Sequence, residues 1–316
     1  MKVDPIRELS LRQWRNAIWR ATVAVQDRNL PLIAAGAAFF TFLSVFPALV
    51  ATVSIWGLFA DPALFRDSLP AATGILPVSA VEVLDQRLRE VAGTSSDRLT
   101  VTTAASLALT LIAARAGVAA LTGGLNAMYR EGLPRNPFIA ALRAILFTVI
   151  LILAALVAII AGLVVPVVVS FLPLTGLEAI LISALKWVLA TLILFAALVV
   201  IYRYCPNRTK AQLAWVAPGA ILALLIWLLS SVGMSVFISR FADLNAIYGS
   251  IGAVIVLLLW LFAATFSVLF GALVNAELEL QTKRDTTIPP EKPMGQRGAF
   301  VADTTVDRLV QSPTNT

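Results

Sequence analysis

Arg115, Thr122, Asn126 and Tyr129 stand at i, i+7, i+11 and i+14 in the stretch LTLIAARAGVAALTGGLNAMY, residues 109–129. That spacing puts all four on one face of a helix. The rest of the stretch is almost wholly apolar or small. A guanidinium at the centre of a membrane span costs about 2.5–3.5 kcal/mol on insertion scales, so something must offset it. A buried carboxylate is the usual partner, but none is expected at that level. Glu178 and Asp243 fall at the expected outer edge and Glu277 at the inner end. At about 1.5 Å per residue Arg115 lies about 21 Å along the helix from Tyr129, which puts Glu277 out of its expected reach. Two readings stay open. The side chain snorkels to the inner headgroups, or the four polar residues line a cleft in which a lipid phosphate or similar anion is the missing partner.

Pro47 sits near the middle of an earlier apolar run. It frees the Leu43 carbonyl and predicts a kink, with Thr41 and Ser44 near enough to help satisfy that oxygen. Simple packing explains it; so does a bend that opens a cleft beside Arg115. Ala116, Ala120 and Gly124 form a small-residue ridge for close helix contact.

Much chemistry is excluded. The chain has no histidine and one cysteine, Cys205, so a histidine base, an internal disulfide and a thiolate zinc site are all ruled out. No GxxxxGK[ST] motif appears, and no metal site or cofactor is expected.

The elements that must position these residues are membrane helices. Of 316 residues, 59% are hydrophobic, and the mean hydropathy is +0.88. Apolar runs at about 32–60, 100–125, 138–169, 181–201, 213–238 and 251–276 each exceed the roughly 20 residues that cross a bilayer. The predicted fold is an all-α polytopic membrane protein with six transmembrane helices in a domain over 31–280. No signal-peptide pattern precedes the first run. Lysine and arginine crowd the N-terminal segment, the second-to-third and fourth-to-fifth connections and the tail, against Arg66, Arg87, Arg89, Arg98 and Arg240 on the other side. The positive-inside rule then puts both termini in the cytoplasm.

Residues 1–30 read as a cytoplasmic amphipathic segment, with Leu11, Trp14, Ile18, Ala21 and Val25 on one face and Arg12, Arg15 and Asn16 opposite, suited to the membrane surface. The extracytoplasmic loop 61–99 holds a Ser79–Glu82 capping box and a short expected helix. Residues 281–316, rich in Pro, Thr and charge, read as a disordered cytoplasmic tail. LNAMY (125–129) and LNAIY (244–248) hint at the 3+3 inverted repeat common in transporters.

AAGAAFFTFLSVFP in the first run, RAGVAALTGGLNAMY in the second, YRYCPN at 202–207, YGSIGAVIVLLLWLF from Tyr248 and GALVNAELE at 271–279 resemble the YihY/BrkB family of bacterial inner-membrane proteins. The resemblance covers about residues 28–280. It implies a multi-pass protein of the bacterial inner (plasma) membrane; the family carries an old ribonuclease BN label and a virulence-factor label, and lipid transport has been suggested for some members. RNA cleavage needs an acid and base or metal-holding carboxylates, and the cytoplasmic loops offer only Glu131. The expected function is therefore non-enzymatic: transport or handling of an anionic or amphipathic substrate such as a lipid, with Arg115 drawing the headgroup, Thr122, Asn126 and Tyr129 hydrogen-bonding it, and Pro47 permitting access. Membrane lipids, anionic phospholipid above all, are the expected partners, and no nucleic acid is. The competing class is a structural or assembly protein acting through a homo-oligomer or another protein.

Overall fold

The computed structural model describes residues 6, 9–59, 96–132, 177–240 and 251–311. Among them the chain is helical: α1 (Leu11–Asp27), α2 (Leu30–Phe59), α3 (Ser96–Tyr129), α4 (Leu177–Tyr204), α5 (Leu213–Arg240), α6 (Ile251–Glu279), α7 (Phe300–Asp303) and α8 (Val306–Gln311). No strand occurs among the described residues, only an isolated antiparallel bridge between Ala211 and Thr287. Five expected spans coincide with α2 to α6. The run at 138–169, almost all of the loop 61–99 with its capping box, and the LNAIY half of the repeat lie outside the described residues. Among the described residues, Leu213–Phe237 and Val254–Glu279 are long and apolar enough to cross a membrane. At about 1.5 Å per residue the first is about 38 Å long, more than the roughly 30 Å hydrocarbon core.

The chain forms two compact units. One comprises residues 1–35, 121–230 and 263–316, the other 36–120 and 231–262. In the second, Thr41 Oγ1 donates to the Ala37 carbonyl at 2.8 Å and Ser44 Oγ to the Thr41 carbonyl at 2.6 Å. Both hydroxyls thus serve carbonyls other than that of Leu43, which Pro47 was expected to free. Gly117 meets α2 closely there, since a Cβ would lie 3.1 Å from Thr41 Oγ1.

The first unit holds the ion pairs found among the described residues. A Cβ on Gly124 would sit 2.7 Å from Ile33 Cγ2 and 2.9 Å from Leu269 Cδ2, so this end of the expected small-residue ridge does pack backbone close to neighbouring helices. Helices α5 and α6 cross at Gly219 and Gly271, where a Cβ on either would overlap the carbonyl of the other. Pro218 removes a backbone donor inside α5. At that break the buried Asn275 accepts from the Gly219 N–H at 2.7 Å and donates to the Val216 carbonyl at 3.1 Å.

Helix α1 forms, capped by Ser10 and Gln13; it buries Ala17, Ala21 and Ala24 against the protein, while Leu11 and Ile18 of the expected apolar face stay exposed. Small side chains allow the closest approach, so alanine rather than the larger apolar residues sets the packed face. The tail is folded through Gln311, not disordered. Gln212 N–H donates to the Thr286 carbonyl, Ile288 N–H to Lys210, Thr209 N–H to Gly298, and Val306 N–H to Leu280, all at 2.9–3.1 Å. Arg297 binds the carbonyls of Lys283, Arg284, Lys292 and Ala302. Composition signalled too little apolar area for a core; backbone pairing and one many-armed arginine hold the segment instead.

Candidate functional site

Arg115 lies on α3 and is exposed. Its neighbours Ile112 and Ala119 are exposed as well, whereas no residue from Leu121 to Tyr129 is. Arg115 therefore occupies the last open turn before the helix becomes enclosed. Among the described residues it has no carboxylate partner within ion-pair distance. Thr122 is half-buried, Asn126 is 3% exposed and Tyr129 fully buried. Asn126 Oδ1 accepts from the Asn207 N–H at 2.7 Å. The Tyr129 ring lies 4.9 Å beneath the Arg208 guanidinium, and its hydroxyl is 3.5 Å from Asn275 Nδ2. The helical face is as the spacing requires, but its two inner members hold the YRYCPN turn and the α5–α6 crossing. Pro47 lies within α2.

A second polar site surrounds the end of α6, where Glu277 and Glu279 are both essentially buried. Arg208 grips Glu279 with a two-armed fork, Nη1 to Oε1 at 2.9 Å and Nη2 to Oε2 at 2.7 Å, and Thr286 Oγ1 donates to Oε2 at 2.6 Å. Burial alone would lower the Arg208 pKa, but the charge and hydrogen bonds of Glu279 more than offset it, and the pKa lies above the usual value.

Glu277 is shared by three arginines. Arg20 Nε approaches Oε2 at 2.8 Å, while Arg28 Nη2 and Arg130 Nη2 approach Oε1 at 3.5 and 3.8 Å. Arg28 also donates from Nη1 to the carbonyls of Ala127 and Met128, at 3.0 and 2.5 Å, capping the end of α3. Burial and the nearby charge of Arg130 lower the Arg28 pKa to about 10, so it stays cationic at neutral pH. Arg130 follows α3 with φ 57°, a left-handed conformation normally left to glycine or asparagine. Its guanidinium stands 5.9 Å over the Phe300 ring, and the neighbouring Glu131 accepts from the Phe300 N–H at 2.8 Å. Burial raises the Glu131 pKa.

Sequence reasoning passed over this cluster because it weighed Glu277 as a partner for Arg115 and found it out of reach. A signal was present: two carboxylates closing an apolar helix need buried partners, and arginine was abundant at the same end.

Exposed apolar side chains complete the picture. Ile221, Leu225, Leu228, Leu229, Val232 and Val236 run along α5 at helical spacing, each 40–72% exposed. So continuous an apolar face suits contact with lipid. The class defined by these helices is an all-helical membrane protein with one strongly basic unit. The chain belongs to the Virulence factor BrkB family, whose model matches residues 21–295. It is 27% identical to the Putative ribonuclease-like protein YfkH of Bacillus subtilis (strain 168), over 81% of this chain and 91% of that protein. It is 29% identical to a UPF0761 membrane protein of Rhodospirillum centenum, over 85% of this chain but only 59% of that protein's length. A UPF0761 membrane protein of Vibrio parahaemolyticus is 34% identical over 30% of this chain and 29% of its own. No solved structure matches.

Proposed function

We propose that this membrane protein binds and handles an anionic amphiphile, a phospholipid being the simplest, and that it does so without catalysing a reaction. The observation that carries this reading is Arg115: an exposed guanidinium among apolar, exposed neighbours, with no ionic partner among the described residues. Helix α3 has 34 residues and is about 51 Å long, well beyond a roughly 30 Å core. With the outer boundary of that core at Ser96, the inner boundary falls about 20 residues on, so that Arg115 stands at the level of the inner headgroups, where its fork matches a lipid phosphate. Thr122 shares its helical face as a further hydrogen-bonding group, and a bend at Pro47 is the proposed access point. Asn126 and Tyr129 contribute by holding the enclosed end of that helix. A bacterial inner-membrane setting with cytoplasmic termini fits the charge: Arg12, Arg15, Arg20, Arg28, Arg130, Arg203, Arg208, Lys210 and the tail's basic residues all belong to one unit. The non-enzymatic reading is supported by Glu277 and Glu279, both already held by arginine and so not free as base or ligand.

Native mass spectrometry of the purified protein and of Arg115→Ala tests the proposal. Loss of one charge-assisted contact, about 1.5–3 kcal/mol, should lower retention of anionic lipid about ten- to hundredfold while the unfolding midpoint holds. Equal retention by a folded variant would count for a structural protein acting through partners.

A further inference from the structure

The arginine cluster at Glu277 carries more positive charge than it can neutralise. Three guanidinium groups meet one buried carboxylate, and the exposed Asp27 is the other anion acting on them. Arg28, with its side chain 9% exposed, has an Nη2 without a hydrogen-bond partner, and the buried Nε of Arg130 is likewise unpartnered. These are donors in a place where a donor left unsatisfied is unfavourable. Arg20 and Arg130 keep about 30% of their side chains exposed, so the cluster is open to an entering group. Arg130 adds a second sign. The turn after α3 is built by the Glu131 N–H to Asn126 carbonyl bond at 2.8 Å and needs a left-handed residue, the place where glycine is preferred. An arginine there is unfavourable for the backbone, yet it brings a third guanidinium to Glu277.

We propose that Arg20, Arg28 and Arg130, arranged around Glu277, form a binding site for a single phosphate group. Planar forks suit phosphate oxygens, and the unpartnered donors of Arg28 and Arg130 supply the hydrogen bonds. The phosphate comes either from a lipid headgroup or from a small soluble phosphate. Glu277 spaces the three cations and repels the anion, so its charge tunes the affinity. The site is separate from Arg115, which belongs to the other compact unit.

The test uses the full chain in neutral detergent, with the unfolding midpoint followed against inorganic phosphate and against chloride at equal ionic strength. A parallel series uses phosphatidylcholine nanodiscs with and without phosphatidic acid. A ligand that binds only the folded protein raises the midpoint as its concentration rises. Arg130→Gly suits the turn better than arginine does, so it should fold with an unchanged or higher midpoint without ligand yet bind phosphate at least about tenfold more weakly. Glu277→Gln should bind phosphate more tightly than the natural chain, and Arg115→Ala should respond to inorganic phosphate as the natural chain does. Stabilisation by both ligands assigns the site to small phosphates, and stabilisation by phosphatidic acid alone assigns it to a headgroup. No stabilisation beyond that of chloride by phosphate together with none by phosphatidic acid, an undiminished response in Arg130→Gly, or weaker binding by Glu277→Gln would overturn the proposal.

Discussion

Two glutamates stand two residues apart at the end of α6 and meet arginine in opposite ways. Glu279 has one arginine in an ideal fork, a threonine hydroxyl, and an aromatic ring beneath the cation. Glu277 has three arginines at 2.8, 3.5 and 3.8 Å, two of them about 30% exposed. The first arrangement is closed: every charge is matched, the Arg208 and Glu279 side chains are 1% and 0% exposed, and neither has room for a ligand. The second is open and overcharged. Burial is the same for both carboxylates, so burial does not separate a structural ion pair from a binding site. Stoichiometry and the count of unused donors do.

The comparison breaks first at its closed half. Arg208→Ala leaves Glu279 buried without its counter-charge and should cost about 3–5 kcal/mol, a loss for which thermal unfolding in detergent is the measure. Next comes the open half: Arg20→Ala removes a part-exposed arm while two other arginines remain, so the same assay should show about 1 kcal/mol or less. If the two variants proved equally costly, the distinction between closed and open would fail. The smallest effect concerns the folded tail beside Glu279. Burial opposes ionisation of Asp285, but hydrogen bonds from Lys292 and Thr287 and the charge of Arg297 outweigh it and hold the carboxyl below the usual range. Because the folded value is the lower one, this group supports tail docking above its unfolded pKa of about 3.9 and loses that support as the pH falls through the folded value. Limited proteolysis of the tail at falling pH should show release earlier in the natural protein than the loss of the helical signal. Asp285→Asn should flatten that acid dependence.

The helices were legible because membrane spans announce themselves by length. Runs such as 213–238 and 251–276 are long and apolar enough to cross a bilayer, and the observed α5 and α6 follow them within a few residues. The face joining Arg115 to Tyr129 was legible too, since helical periodicity is fixed by backbone geometry. Which members of that face stay open was not. Asn126 and Tyr129 look as polar as Arg115 in sequence, yet one accepts from the Asn207 backbone and the other lies under Arg208. Both partners arrive from a connection some eighty residues away, and no local pattern reports such a meeting.

The amino-acid sequence alone determined the helical membrane architecture, the concentration of basic residues and the absence of histidine chemistry, because each depends on composition or on short-range periodicity. Tertiary structure decided the rest. It folded a tail whose composition argued for disorder, through backbone pairing with residues 209–212. It placed Asn275 at the Pro218 break, and it gathered Arg20, Arg28 and Arg130 from three points of the chain around one carboxylate. Charges act through space over a few ångströms, so their balance at a site is known only once the chain has folded.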